Sequence, residues 1–274
     1  MRHTVVRFGF VVLALLAGQP AAMAAELVIP GSGDCEFVLA RLAEVFEKSH
    51  PGRKIGLPVS TGSTGGVRAV QQSEAVLARI ARPLKPEEAQ SGLKTVVFGR
   101  DAIVFAVGAS VTAKSLTPAQ LADLFGGRVT NWREVGGEPA PVRLVIREES
   151  DSGIQLLRAR LEPFRSLKLA ENAKMVAKTL EMVDLLNRYR TAVGWATNST
   201  VLAAGTGVRS LALDGVSPNL VEVASGKYPV ATEYSLVFRE DRLTREAREF
   251  LAFIRSAAAH EVLRNFGISR AAGT

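Results

Sequence analysis

Three short stretches set hydroxyl side chains beside glycine where an apolar-periodic segment begins: "PGSGD" (residues 30–34), "STGSTGG" (residues 60–66) and "REESDSG" (residues 147–153). The first amides of a helix lack partners inside it, and the aligned peptide dipoles favour negative charge there. Glycine lets a ligand approach the backbone, and Ser and Thr add donors. The chemistry that suits such a junction is the grip of an oxyanion. The plain alternative at each is a capped turn with no ligand. In a chain that alternates strands and helices, three such loops would meet at the carboxyl ends of strands, where open sheets bind ligands.

Catalytic patterns fare worse. Beyond residue 24 the histidines are His50, in the helix-ending "KSHPG", and His260, near the C-terminus. Both read as surface residues, so a Ser-His-Asp triad has no base. The nearest match to G-x-S-x-G has Thr61 where its first glycine belongs. "GSGDCE" puts Glu36 at the third glycine of the dinucleotide pattern, and "GSTGGV" has no P-loop lysine. No Cys/His cluster has metal-ligand spacing. Cys35, the single cysteine, reads as a buried inert thiol or as one activated near a helix start. No catalytic residue, metal or cofactor is expected. A hydrolase using Ser63 or Ser152 would need a base that the sequence does not offer.

The elements that must hold these loops are legible. The 274 residues are 47% hydrophobic and 22% charged, enough for one large domain or two lobes. Arg2, Arg7, the apolar run Phe8–Ala17 and "AMA" at residues 22–24 read as a secretory signal cleaved after Ala24, which predicts a periplasmic protein. Without that segment the chain has 32 Lys and Arg against 27 acids, a net charge of +5. The cations are dispersed and only 6% of residues are aromatic, which argues against nucleic acid. Strands are expected at Leu27–Ile29, Ile55–Val59, within Leu77–Leu84 (a strand and its exit turn), Thr95–Gly108, Ala140–Glu148, Ala192–Ala196 and Tyr234–Phe238. Helices are expected after a cap at Asp34 or Ser32, over about residues 66–75, from Thr117 to Gly126, over 154–161, from Thr179, and over 244–266. The class is α/β.

In order and spacing these segments resemble the phosphate-binding proteins of bacterial ABC transporters, within the type 2 periplasmic-binding-protein superfamily. The likeness covers nearly the whole chain after residue 24. It includes the "GSG" and "GSTGG" loops, "ARPL" (residues 81–84), "SLTPAQLADLFGGRVTNWREVGG" (residues 115–137), "REESDSG", "AVGWA" (residues 192–196) and "GKYPV" (residues 226–230). The resemblance implies a two-lobed fold with two crossover strands, about Thr95–Val107 and Tyr228–Phe238, and a ligand cleft between lobes. Lobe 1 would be residues 25–104 and 229–274, and lobe 2 residues 105–228. It implies oxyanion contacts from Ser32, Gly33, Ser63, Thr64, Gly65, Arg82, Arg147, Asp151, Ser152 and Gly153. The partners implied are inorganic phosphate or a related oxyanion and an inner-membrane ABC permease, for a protein working as a monomer. The plain alternative for Arg147 is a surface pair with Glu148 or Glu149, and Trp132 and Trp195 read as packing residues.

Three departures bear on the ligand. Ile154 stands where the family loop has threonine, Ala81 replaces a serine, and Arg82 takes the place of an aspartate that accepts a hydrogen bond from the protonated anion in one branch of the family. Asp151 or Asp34 would then have to supply the acceptor. The alternative is a sensory or interaction protein of the same fold with a relaxed or different anion site.

Overall fold

The chain begins with strand β1 (Ala25–Val28), helix α1 (Glu36–Ser49), β2 (Arg53–Gly56), α2 (Gly62–Gln71), β3 (Leu77–Ile80), α3 (Pro86–Gln90) and the long strand β4 (Lys94–Gly108). It continues through β5 (Ser115–Leu116), α4 (Pro118–Phe125), β6 (Arg143–Arg147), α5 (Ser152–Arg160), β7 (Lys174–Val176) and α6 (Thr179–Arg188). Then come β8 (Ala192–Thr197), α7 (Asn198–Ala203), β9 (Val208–Ser210), β10 (Ala212–Leu213) and α8 (Leu220–Ala224), and the chain returns through β11 (Ala231–Phe238) to α9 (Arg245–Ile254) and α10 (Ala257–Asn265). This computed structural model describes residues 25–270, so the expected signal segment lies outside the described residues.

The main sheet runs β3-β11-β4-β8-β6-β7, with β9 also beside β4, while β1 and β2 form a separate parallel pair. β4 is shared between two packing units. Its first part, as far as Ala102, pairs antiparallel with β11, and from Ile103 it pairs with β8. The apolar residues sort the same way. One core gathers Phe105, Phe125, Phe164 and Trp195 around β4, β8 and α4. Another gathers Phe46, Phe98, Tyr234 and Phe250 around α1, β11 and α9, with a small cluster of Val67, Val70, Ile80 and Val237 under α2. The architecture is the mixed α/β arrangement expected, with β4 and β11 joining the two cores. Among the described residues no helix is long and apolar enough to cross a membrane.

Local sequence explains several boundaries. Thr117 accepts from Gln120 N at 3.2 Å and Pro118 opens α4, as the sequence predicts. α2 departs from expectation: it starts at Gly62, not near Gly66. Three glycines argue against helix on propensity, but tertiary packing requires one of them. A Cβ on Gly66 would lie 2.9 Å from Gly31 Cα, so close approach overrides propensity. The expected C-terminal helix over 244–266 is two helices, because Ser256 caps α10 by accepting from Ala259 N at 3.2 Å.

Candidate functional site

On the β3 side of the cleft, two loops are stitched over Arg79. Ser32 N donates to Arg79 O at 2.9 Å and Arg79 N to Pro30 O at 2.8 Å. Gly31 sits between them at φ +135°, and a side chain there would overlap the Arg79 carbonyl. The Arg79 guanidinium is fully buried. It donates to the carbonyls of Ile29, Ser32 and Pro58 and pairs with Glu36 at 2.8 Å. Ser60 Oγ and Thr61 N, each at 3.1 Å, both donate to Gly31 O, so the start of α2 rests on the first loop.

That brings most of the expected lobe 1 residues onto one surface. Ser32 is buried, and its hydroxyl oxygen accepts from Asp34 N at 3.3 Å. Ser63 is buried, and its oxygen accepts from Ala81 N at 3.1 Å. Both hydroxyl protons remain to be donated. Gly33 lies against Ser60, and Thr64 and Gly65 fall inside the first turn of α2 instead of ahead of it. Arg82 is different. It forms a two-pronged pair with Glu88, both bonds 2.7 Å, and only grazes Thr64 at 3.4 Å. That bond to Arg82, ahead of the cost of burial, holds the Glu88 carboxyl below its ordinary range. Arg82 thus has a carboxylate counterion of its own within lobe 1.

Lobe 2 contributes the end of β6 and the start of α5. Asp151 caps α5, accepting from Gly153 N at 3.1 Å and Ile154 N at 3.2 Å. Its carboxylate also accepts from Trp195 Nε1 at 3.2 Å and pairs with Arg147 at 3.0 Å. Trp195 packs on Phe125, as expected, and orients Asp151 as well. A Cβ on Gly153 would come within 2.9 Å of Asp151 Oδ1, so glycine is needed for this cap. Arg147 does not pair with Glu149, which is held by Arg158 at 2.7 Å.

The two lobes meet at Asp34. Ser152 Oγ donates to Asp34 Oδ2 at 2.8 Å, and Thr179 Oγ1 donates to Asp34 Oδ1 at 3.1 Å. Arg147 Nη1 in turn donates to Thr179 Oγ1 at 2.9 Å, while its buried Nε has no partner. Asp34 therefore does not cap α1. The N-cap is Cys35, whose side chain makes no capping bond, and the Asp34 carboxylate turns to lobe 2. Burial first, then the Asp34 charge, push the Asp151 carboxyl above its ordinary value, against the pull of Arg147. Asp151 thus pairs directly with the Arg147 guanidinium, and Asp34 reaches it only through the Thr179 hydroxyl.

Sequence reasoning missed Thr179, whose only signal is a hydroxyl opening an amphipathic helix. It also missed Tyr234, whose phenol lies 3.1 Å from Asp34 O, and Asp101 beneath it. Cys35 is fully buried, and burial pushes its thiol up to about 12, the inert form. Among the described residues no His, Cys, Asp and Glu group could hold a metal ion.

Two cores joined by shared strands, with hydroxyls, a guanidinium and carboxylates facing across the gap, define a two-lobed solute-binding architecture. A family profile described as "PBP superfamily domain" matches residues 17–258, and the chain belongs to that family. It is 21% identical over 216 residues to the phosphate-binding protein PstS of Borreliella burgdorferi, covering 75% of this chain and 76% of that one. It is 26% identical to PstS of Bacillus subtilis, covering 84% and 75%. Its fold is similar, at TM-score 0.80 and 26% identity over 90% of this chain and 100% of the other, to a crystal structure from Clostridium perfringens. That structure is titled a putative phosphate ABC transporter substrate-binding protein with bound phosphate.

Proposed function

We propose that this protein is an exported, monomeric solute-binding protein that captures inorganic phosphate between its lobes and delivers it to an ABC permease, without catalysis. One observation carries the reading: Ser152 and Thr179 from one lobe and Asp34 from the other converge beside Arg147. On binding, the two hydroxyls turn from Asp34 to the anion. Arg147 supplies charge, aimed by its bonds to Asp151 and Thr179. Ser32 and Ser63 add hydroxyl donors, Thr64 in the first turn of α2 adds an amide, and Gly33 and Gly153 leave the backbone open. Hinge bending at β4 and β11 closes the lobes.

Asp34 then accepts the hydrogen bond of the anion's own proton. Phosphate carries a proton at neutral pH and sulfate does not. Facing sulfate, the carboxylate loses a bond and adds repulsion, a cost on the order of 1–3 kcal/mol or more. Relatives named phosphate-binding proteins and the bound phosphate of the Clostridium perfringens structure support this choice of ligand. Titration calorimetry of the chain from Ala25 onward tests it. Phosphate should bind at least tenfold more tightly than sulfate; binding of sulfate, molybdate or an organic acid without phosphate would reject phosphate and keep the capture architecture.

A further inference from the structure

The point where β4 exchanges β11 for β8, between Ala102 and Ile103, adjoins a fully buried carboxylate, Asp101. From β11 the equally buried Tyr234 sets its phenol oxygen 2.8 Å from Asp101 Oδ2 and 3.1 Å from the main-chain oxygen of Asp34. A phenol has one proton, and here two acceptors face it. Ser199 N, at the start of α7, lies 3.4 and 3.3 Å from the two Asp101 oxygens.

The surroundings are otherwise short of charge. The start of α7 brings the hydroxyls of Thr197, Ser199 and Thr200, bonded to one another at 3.3 and 2.7 Å. The loop before α1 brings Asp34 and Cys35, which act on Tyr234. On β4 itself, Arg100 exchanges main-chain bonds with Ser269. Burial pushes Asp101 up to about 7, against the bonds from Ser199 and Tyr234. Burial and the carboxylates hold Tyr234 well above the ordinary phenol value, so the phenol keeps its proton.

The proton count has two solutions. With Asp101 ionised, the phenol gives its proton to the carboxylate, the stronger acceptor, and the Asp34 carbonyl goes without. With Asp101 protonated, the new hydroxyl donates to the phenol oxygen, and the phenol proton turns to the Asp34 carbonyl. We infer that Asp101 is a positioning residue of the cleft: its protonated form, acting through Tyr234, clamps the loop that carries Asp34 and so favours ligand capture. The hinge strands thereby report their protonation state to the binding loop.

The inference deepens the phosphate reading and rests on it for its main assay. Phosphate affinity would be measured by calorimetry from about pH 5.5 to about pH 8.5 for the wild type, Asp101→Asn and Tyr234→Phe. Comparing proteins at each pH cancels the titration of phosphate itself. Asn keeps a donor toward the phenol at every pH. The wild type should match Asp101→Asn at the acid end and bind about two- to tenfold more weakly at the alkaline end, the worth of one net hydrogen bond. Tyr234→Phe should be weaker than Asp101→Asn throughout, by a constant factor. A wild-type to Asp101→Asn ratio that does not change with pH overturns the inference. If phosphate binds none of the three, the phosphate reading fails instead. The clamp is then judged by carbonyl and carboxyl NMR of the unliganded wild type and Tyr234→Phe, which also serves if Asp101→Asn does not fold. A shift of the Asp34 carbonyl that follows Asp101 titration in the wild type but not in Tyr234→Phe supports it. Titration of Asp101 without that shift overturns it.

Discussion

Replacing Asp34 by Asn keeps the shape of the side chain and removes its charge and one acceptor oxygen. In the native protein that carboxylate accepts from Ser152 at 2.8 Å and Thr179 at 3.1 Å. A hydrogen bond to a charged partner is worth about 1.5–3 kcal/mol and a neutral one about 0.5–1.5, so each bond loses about 1 kcal/mol. The proton of bound phosphate meets the same loss, while sulfate escapes the repulsion and gains an amide donor, a gain of similar size. The preference for phosphate over sulfate should therefore shrink by about 2 kcal/mol, roughly 30-fold. The measurement is paired calorimetric titration with both anions at one pH and one ionic strength, since salt screens the effect. A ratio unchanged within about threefold, in a variant that melts cooperatively and still binds both anions, would refute the role given to Asp34.

Arg147→Ala should weaken phosphate binding at least about tenfold, since it removes a charge-assisted bond of ~1.5–3 kcal/mol; unchanged affinity removes Arg147 from the site. Arg82→Ala should leave affinity within about threefold but cost about 1–3 kcal/mol of stability, because it strands the buried Glu88 carboxylate. A large loss of affinity with little change in melting would return Arg82 to the cleft. Asp101 is pushed from its ordinary value of 3.8 up to about 7, so the native state holds a proton that the unfolded chain has released. Its contribution to stability is full below about pH 4 and is lost as pH rises through about 7. Asp101→Asn should accordingly flatten that decline, and denaturant titrations from about pH 4 to about pH 8 would show the variant overtaking the wild type at the alkaline end. Arg79→Met orphans three carbonyls beneath both lobe 1 loops and should cost about 3–5 kcal/mol, read as a lower denaturant midpoint.

Much of this molecule is visible before folding. Thr117-Pro118 and Gly126-Gly127 bracket α4 by local rules of capping and termination, and the apolar runs mark β1, β2, β3, β4, β6, β8 and β11 within a few residues but not the short β5, β7, β9 and β10. The loops of hydroxyls and glycines announce themselves by composition. Other features do not follow from local pattern. Propensity argues against the glycine-rich start of α2, and only the close approach of Gly66 to Gly31 makes that helix sensible. The apolar spacing of residues 244–266 continues across Arg255 although the backbone does not.

The site divides in the same way. Sequence alone determined which chemical groups were at hand and which short segments carried them, because capping, periodicity and glycine content act over a few neighbouring residues. Tertiary structure decided their alliances. It paired Arg82 with Glu88, turned Asp34 from α1 to Ser152 and Thr179 more than a hundred residues away, and buried Asp101 of β4 against Tyr234 of β11. Whether a carboxylate caps its own helix, neutralises a neighbour or waits for a ligand depends on which partners the fold brings within about 3 Å, and that distance is set by packing of the whole chain.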